Sequence, residues 1–412
     1  MANQVEKLDT IAIADIEKVN TLTDDNIEKI NTLEFTGTST YELFAWGDGG
    51  GGSVGDGTVT NRSSPVQIGT AFFGELDVTD VYATECRITN SDLASAAVKA
   101  DGTLWTWGSA TYGQLGHNNT TNYSSPVQVG SLTDWRSVTN AKTQSMCATK
   151  TDGTLWGWGD NDANGHSSGI YSSPVQVGTD TDWSPYLGAG NTYCYCLKTN
   201  GELWMWGKGG NAFVGAGTAL NSPGPPIRVT DKYFTYIGAG PSNAIAGVEK
   251  TTGKMYSWGT NNGWGMLGFG DTSNSSSPVQ MGTATDWAWA GGGASSMVFG
   301  KTNGEGYGAG RNDNGFLGTN NVTTYSSPVQ ASDKSYANAG HGCAYNRFHA
   351  ITTDGALWSI GGSGGDGTSG TGETAAQSSP VQVGTLTDWI CISNAGGGGR
   401  TTSSIKLAIR KS

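Results

Sequence analysis

Charge is scarce in this 412-residue chain: Asp, Glu, Lys and Arg make up 14% of it, and only 23 residues are basic. Phosphate backbones are held by clustered Lys and Arg, and no such cluster occurs, which argues against a nucleic-acid partner. A net charge of −12 argues equally against an anionic membrane surface. Long apolar runs are missing too. Nothing approaches the roughly 18 uncharged apolar residues of a membrane span, and Met1–Lys7 has neither the basic nor the apolar region of a secretory signal. Cysteine is thin: Cys86, Cys147, Cys194, Cys196, Cys343 and Cys391 read as buried thiols rather than a disulfide framework, which fits synthesis in a reducing host cytoplasm. Histidine is rarer still. His117, His166, His341 and His349 are too scattered for a catalytic or metal constellation, and His117 and His166 read as solvated loop residues.

Glycine and tryptophan are abundant instead, with 65 and 15 copies. That glycine share is more than double the average of about 7%, and it lacks the strict period of collagen. An aromatic content of 10% supplies enough apolar surface to offset chain entropy, so disorder is not expected. Many tight turns around aromatic-filled strands are.

A repeat organises the chain. Leu104-Trp105-Thr106-Trp107-Gly108 returns as Leu155-Trp156-Gly157-Trp158-Gly159 and Leu203-Trp204-Met205-Trp206-Gly207. Weaker copies are Leu43-Phe44-Ala45-Trp46-Gly47, Met255-Tyr256-Ser257-Trp258-Gly259, Gly306-Tyr307-Gly308-Ala309-Gly310 and Leu357-Trp358-Ser359-Ile360-Gly361. These seven copies lie roughly 50 residues apart, the spacing of propeller blades. Other landmarks keep step: Ser-Pro-Val-Gln at Pro65, Pro126, Pro174, Pro278, Pro328 and Pro380, degenerate at Pro225-Pro226-Ile227-Arg228. Gly-x-Leu-Gly turns follow most Trp-Gly strands, and aromatic strand openers stand at Trp135, Trp183, Tyr233, Trp287, Tyr336 and Trp389. Asp101-Gly102, Asp152-Gly153, Asn200-Gly201 and Asp354-Gly355 predict type I′ hairpins between antiparallel strands. Tryptophans two apart share one strand face, so Trp46, Trp105, Trp107, Trp156, Trp158, Trp204, Trp206, Trp258 and Trp358 are expected in the blade cores. The first copy lacks a preceding strand of the Ser95-Ala96-Ala97-Val98 type, and a matching strand stands at Ile405–Ile409. Pairing of Leu43 and Phe44 with Ile405, Leu407 and Ile409 would seal a ring and remove its open edges.

In this order, Trp-Gly, Gly-Gln-Leu-Gly, Ser-Ser-Pro-Val-Gln and Asp-Gly-x-Leu-Trp resemble the regulator of chromosome condensation repeat. The resemblance covers roughly residues 38–412 and implies an all-β, seven-bladed β-propeller closed by its N- and C-terminal strands. The family includes exchange factors, ubiquitin-ligase modules and a β-lactamase inhibitor, so fold is implied far more sharply than function.

Residues 1–37 carry a different repeat, of about 11 residues, which keeps an apolar stripe in register over three helical turns. Ile16, Val19, Leu22, Ile27, Ile30 and Leu33 form a face too small for its own core, in one helix or several short ones. It is expected to strap across the propeller or to dock onto something larger. This leader resembles the N-termini of structural proteins of marine bacteriophages.

No catalytic, cofactor or metal site emerges. Asp160-Asn161-Asp162-Ala163-Asn164-Gly165 imitates a calcium loop, but its twelfth position is Tyr171 rather than a bidentate Glu. Gly300-Lys301-Thr302 lacks the earlier glycine of a phosphate loop, since Ser295 stands there. The expectation is a non-enzymatic virion protein: capsid decoration, or a head or tail fibre or appendage. Residues 1–37 would anchor it to capsid or tail proteins, with a homo-oligomer in the particle as one arrangement. The propeller would meet neighbouring proteins or a host-surface protein or glycan. The rival readings are a soluble protein-interaction module and a glycan-binding adhesin using Trp264 or Trp289.

Overall fold

The computed structural model describes residues 39–69, 74–76, 87–91, 93–141, 144–208, 224–240, 243–338, 347–362, 368–373, 375–395 and 405–411. The chain divides into units 1–38 and 39–412, and the description concerns the second. The expected helical leader with Ile16, Val19, Leu22, Ile27, Ile30 and Leu33 lies outside the described residues, as do His341, Cys86 and Cys343. The described residues are all-β apart from one short 3-10 turn at Gly50–Gly52.

One repeat shows the pattern. Trp135–Ala141, Ser145–Lys150, Leu155–Gly159 and Tyr171–Gln176 follow one another in an antiparallel four-stranded sheet. All six residues of the second strand are buried, so both its faces are covered. The fourth strand is half-exposed, because its Ser-Ser-Pro-Val-Gln sequence offers little apolar surface to bury. Each third strand ends on a glycine of positive φ, as at Gly108 (104°) and Gly159 (88°). A Cβ on Gly108 would collide with the Leu93 carbonyl oxygen, so only glycine lets the two strands approach this closely.

The Asp-Gly hairpins form, but not as type I′ turns. Gly102 N donates to Lys99 O (3.0 Å) and Gly102 alone takes positive φ, at 75°, while Asp101 does not. This is a type I turn followed by a left-handed glycine. Asp101 stays right-handed because its carboxylate accepts hydrogen bonds from both Thr103 N (3.0 Å) and Thr103 Oγ1 (2.6 Å). Asp152 and Thr154 repeat the arrangement.

Most fourth strands end at a glycine of positive φ that turns the chain, among them Gly130, Gly178, Gly282 and Gly384. Thr230 and Ser332 replace that glycine in two repeats, and there the strand runs on into the next repeat as Ile227–Ala239 and Tyr325–Asn338. Sheets that would otherwise be separate therefore merge into two seven-stranded ones. In the first of these the strand opener is not Tyr233. Phe234 N bonds Gly201 O as Trp135 N bonds Gly102 O, and Phe234 is buried while Tyr233 is exposed. Phe234 follows Pro226, and Tyr336 follows Pro328, by one residue fewer than Trp135 follows Pro126, so the opener shifts in the two repeats that lack the turn glycine.

Residues from both ends of the second unit share a sheet. Ser39–Gly47 pairs antiparallel with Ile405–Lys411, with Leu43 opposite Ile409, Phe44 opposite Ala408 and Gly47 opposite Ile405. The C-terminal strand pairs in turn with Trp389–Ile392. Leu43, Ile405, Leu407 and Ile409 are buried there, and Phe44 meets Trp389 edge-on at 5.2 Å. The reading of six free thiols needs correction. Cys147, Cys194 and Cys196 are free and buried, but Cys391 is disulfide-bonded, with a partner outside the described residues. Thin spacing along the chain hid a pair that folding brings together.

Candidate interaction surface

The tryptophans sort into two kinds that the sequence does not distinguish. Trp46, Trp107, Trp158, Trp206 and Trp258 have no exposed surface. Trp105, Trp156, Trp204 and Trp358, two residues earlier on the strand or in the equivalent place, are only half-buried. The shared face is real, since Trp135 meets both Trp156 (5.8 Å) and Trp158 (6.2 Å). Trp156 lies nearer the strand end, where Lys150 covers it at 4.3 Å and Thr154 Oγ1 accepts its indole hydrogen.

That end of the second unit, carrying the Asp-Gly hairpins, is charged but self-satisfied. Lys198 lies over Trp183 and Trp204 and donates to Asp180 (2.6 Å), with Asp182 at 2.8 Å. Burial alone would lower the Lys198 ammonium, but the Asp180 and Asp182 hydrogen bonds outweigh it and hold its pKa above the ordinary value. Lys301 repeats this with Trp287, Tyr307 and Asp286, whose hydrogen bond raises its pKa. These lysines are sandwiched rather than offered to a ligand.

The opposite end carries the connections from third to fourth strands, and these differ in kind. Val59, Tyr112, Ile170, Trp264 and Val322, one in each of five connections, are 68, 38, 58, 40 and 59% exposed. Apolar side chains recurring at one end, on loops held by a rigid sheet scaffold, can meet a partner without any rearrangement of the core. The loops are pinned from within: Asn312 and Asn261 bond backbone across their turns, and Asn118 and Asn320 take positive φ. Trp264 stays exposed with the Arg311 guanidinium at 5.0 Å. Trp289 does not: at 5% exposure within Trp287–Gly292 it offers no platform for a sugar.

His117 and His166 pack against tyrosine rings rather than standing free in solvent. His117 Nε2 bonds Thr106 Oγ1 (3.0 Å) and its ring packs on Tyr123 at 5.1 Å, and burial holds its pKa below the ordinary value. His166 packs on Tyr171 at 4.7 Å, and His349 is fully buried against Trp46. In the calcium-like stretch, Asn164 bonds Gly169 O and His166 N, and Asp162 faces Lys208. Lys301 of the phosphate-loop imitation is the sandwiched lysine above. Arg347, passed over by sequence reasoning, stands where Ser145 and Ser296 stand in other repeats. Their hydroxyls donate to Asp160 O and Arg311 O, while Arg347 donates to Gly362 O (2.8 Å) and Ser359 Oγ (3.2 Å). Burial pushes its guanidinium down to about 10.

Comparison with known proteins agrees with this architecture. The Regulator of chromosome condensation (RCC1) repeat matches residues 101–148. Human and mouse E3 ubiquitin-protein ligase HERC2 are each 29% identical to the chain over 233 residues, 54% of it; the chain spans about 5% of the length of those relatives. Among solved structures, Prp20p from Saccharomyces cerevisiae, described for its binding to Gsp1p and histones, superposes with a TM-score of 0.72 at 17% identity, covering 90% of this chain and 92% of that one. Human WBSCR16 superposes at 0.72 and 16% identity, covering 90% and 99%.

Proposed function

From an RCC1-like propeller fold that contains an RCC1 repeat, we propose that this chain is a non-enzymatic protein-interaction module, carried on a virus particle by residues 1–37. Seven blades and a ring sealed by its termini complete the proposal. Their support is the seven in-phase repeat strands, five of them ending in Trp-Gly, and the pairing of Ser39–Gly47 with Ile405–Lys411. The observation that carries the interaction reading is the recurrence of exposed apolar residues at the end bearing Val59, Tyr112, Ile170, Trp264 and Val322. Display on a particle adds avidity to weak contacts. A disulfide at Cys391 fits a protein that works outside a reducing cytosol, where such bonds persist.

The 11-residue repeat of the leader supports an anchoring role, because an apolar face of that size cannot make its own core and must be covered by another surface, the particle in this reading. Deleting residues 1–37 tests it. The expected product is a folded protein that no longer joins purified particles, and undiminished incorporation refutes the anchor. Replacing Ile170 and Val322 by Asp tests the display face. Particles should then assemble but lose host or neighbour contact, whereas binding to a glycan array that depends on Trp264 would favour the adhesin reading.

A further inference from the structure

Buried indoles latch neighbouring repeats together. Trp46, Trp107, Trp158 and Trp206 are fully buried, and each indole nitrogen donates to a backbone carbonyl of the adjoining repeat: Thr368, Ser53, Gln114 and Ala163, at 3.2, 3.0, 2.8 and 3.1 Å. The seam that Trp107 latches has a second connection. On one side stands the repeat built from both ends of the second unit, and on the other the repeat that contains Ile88–Asn90. Asn394–Ala395 crosses this seam and pairs in parallel with that strand, Asn394 opposite Thr89 and Ala395 opposite Asn90.

We infer that Cys86 is the disulfide partner of Cys391, and that the bond clasps this seam covalently. Cys147, Cys194 and Cys196 are free, so the choice lies between Cys86 and Cys343. Register favours Cys86: counted back three residues on each strand from Asn394 and Thr89, Cys391 falls opposite Cys86. Val98 N donates to Arg87 O (2.8 Å), which carries the Ile88–Ala97 ladder back to the residue beside Cys86. Side-chain alternation agrees. Ser393 Oγ donates to Asn90 Oδ1 (2.5 Å), and Cys391, two residues earlier, shares that face and is buried in one cluster with Ile88 and Ala97. In return, Asn90 Nδ2 donates to Ile405 O (2.6 Å), and alternation back through Ile88 assigns Cys86 to the face that meets Cys391.

Cys343 belongs to the repeat on the other side. Ile392, whose side chain alternates with that of Cys391, packs with Ile351 and Leu357 of that repeat, so Cys391 turns away from it. Asn338 stands opposite Ile351 as Cys391 stands opposite Ile409. Cys343 comes five residues after Asn338, on the connection that enters Arg347 opposite Gly361, the other end of that sheet.

Closing the bond joins the two sulfurs. The two thiols give up two protons and two electrons to an external disulfide, which leaves as two thiols. Ser39–Gly47 and Ile405–Lys411 both lie outside the covalent loop from 86 to 391, so fraying of either terminal strand leaves the seam joined. The assignment stands apart from the particle reading and is tested on the isolated protein.

The full chain is incubated with oxidised glutathione, alkylated with iodoacetamide in denaturant without reductant, and digested with trypsin. Mass spectrometry of the monomer should find residues 63–87 linked to residues 348–400, the tryptic peptides that carry Cys86 and Cys391. A link from 348–400 to 335–347, which carries Cys343, or an alkylated Cys391, overturns the assignment. Cys86→Ser should expose Cys391 to alkylation, and Cys343→Ser should leave it protected; the reverse pattern refutes the pairing. Reduction should lower the melting temperature of the wild type by about 5 °C or more and leave that of Cys86→Ser unmoved. Equal shifts in the two proteins overturn the clasp.

Discussion

Replacing Trp158 by Phe isolates the seam contact from the rest of the blade. Phe keeps a ring against Trp135 but removes the N–H that donates to Gln114 O, leaving a buried carbonyl without that partner. Losing the bond costs about 1 kcal/mol. The missing five-membered ring leaves a void beside Gly116, Val129 and Pro174 that adds about 2 kcal/mol. Trp156→Phe, on the same strand face, is the internal control. Its indole is half-buried, donates only to Thr154 Oγ1 and is covered by Lys150, so about 1 kcal/mol is expected. Urea unfolding followed by tryptophan fluorescence should show the Trp158 variant about 1 M less stable for a slope near 3 kcal/mol/M, with the slope unchanged. Equal losses for the two variants would refute the assignment of the fully buried indoles as inter-repeat latches.

The remaining predictions concern turns, thiols and pH. Gly102→Ala should destabilise by more than about 1 kcal/mol, because φ is 75° and the new methyl would strike the Thr133 carbonyl oxygen; thermal unfolding reads this directly. Cys194 and Cys196, whose pKa values burial pushes well above the ordinary range, should resist iodoacetamide in the native protein and react once it is denatured. The Asp152 carboxyl is held below its ordinary 3.8 by the Thr154 hydroxyl and N–H, so its share of stability is present above that pH and fades as pH falls through the lowered value. Thr154→Val should therefore flatten the acid limb of a stability–pH curve, and an unaltered limb would contradict the assignment. Lys198 behaves oppositely: its raised pKa contributes stability that is complete below about 10.5 and is lost as alkali takes pH through the folded value, and Lys198→Met should remove that loss.

How much of this was legible beforehand depended on whether the signal was local. A glycine after each Trp strand, an Asp-Gly before it and an aromatic opener are short-range constraints, and they placed nearly every strand. The hairpin type was misjudged because Asp-Gly serves two turn classes, and the choice fell to a threonine two residues on. Tyr233 was misjudged because the two adjacent aromatics of Tyr233-Phe234 leave the register to hydrogen bonding with Gly201. His117 and His166 were read as solvated because polar neighbours in sequence say nothing of a tyrosine ring folded over them.

The amino-acid sequence by itself pointed to an all-β fold for residues 38–412, built of in-phase repeats, with the last strand matched to the first. Periodicity and turn chemistry are written residue by residue, so they survive without coordinates. Only the tertiary structure decided which tryptophans are latches, that Cys391 is bonded and that the lysines are sandwiched. Each of those is set by side chains on different strands or repeats meeting in space, and spacing along one strand carries no record of what packs against it.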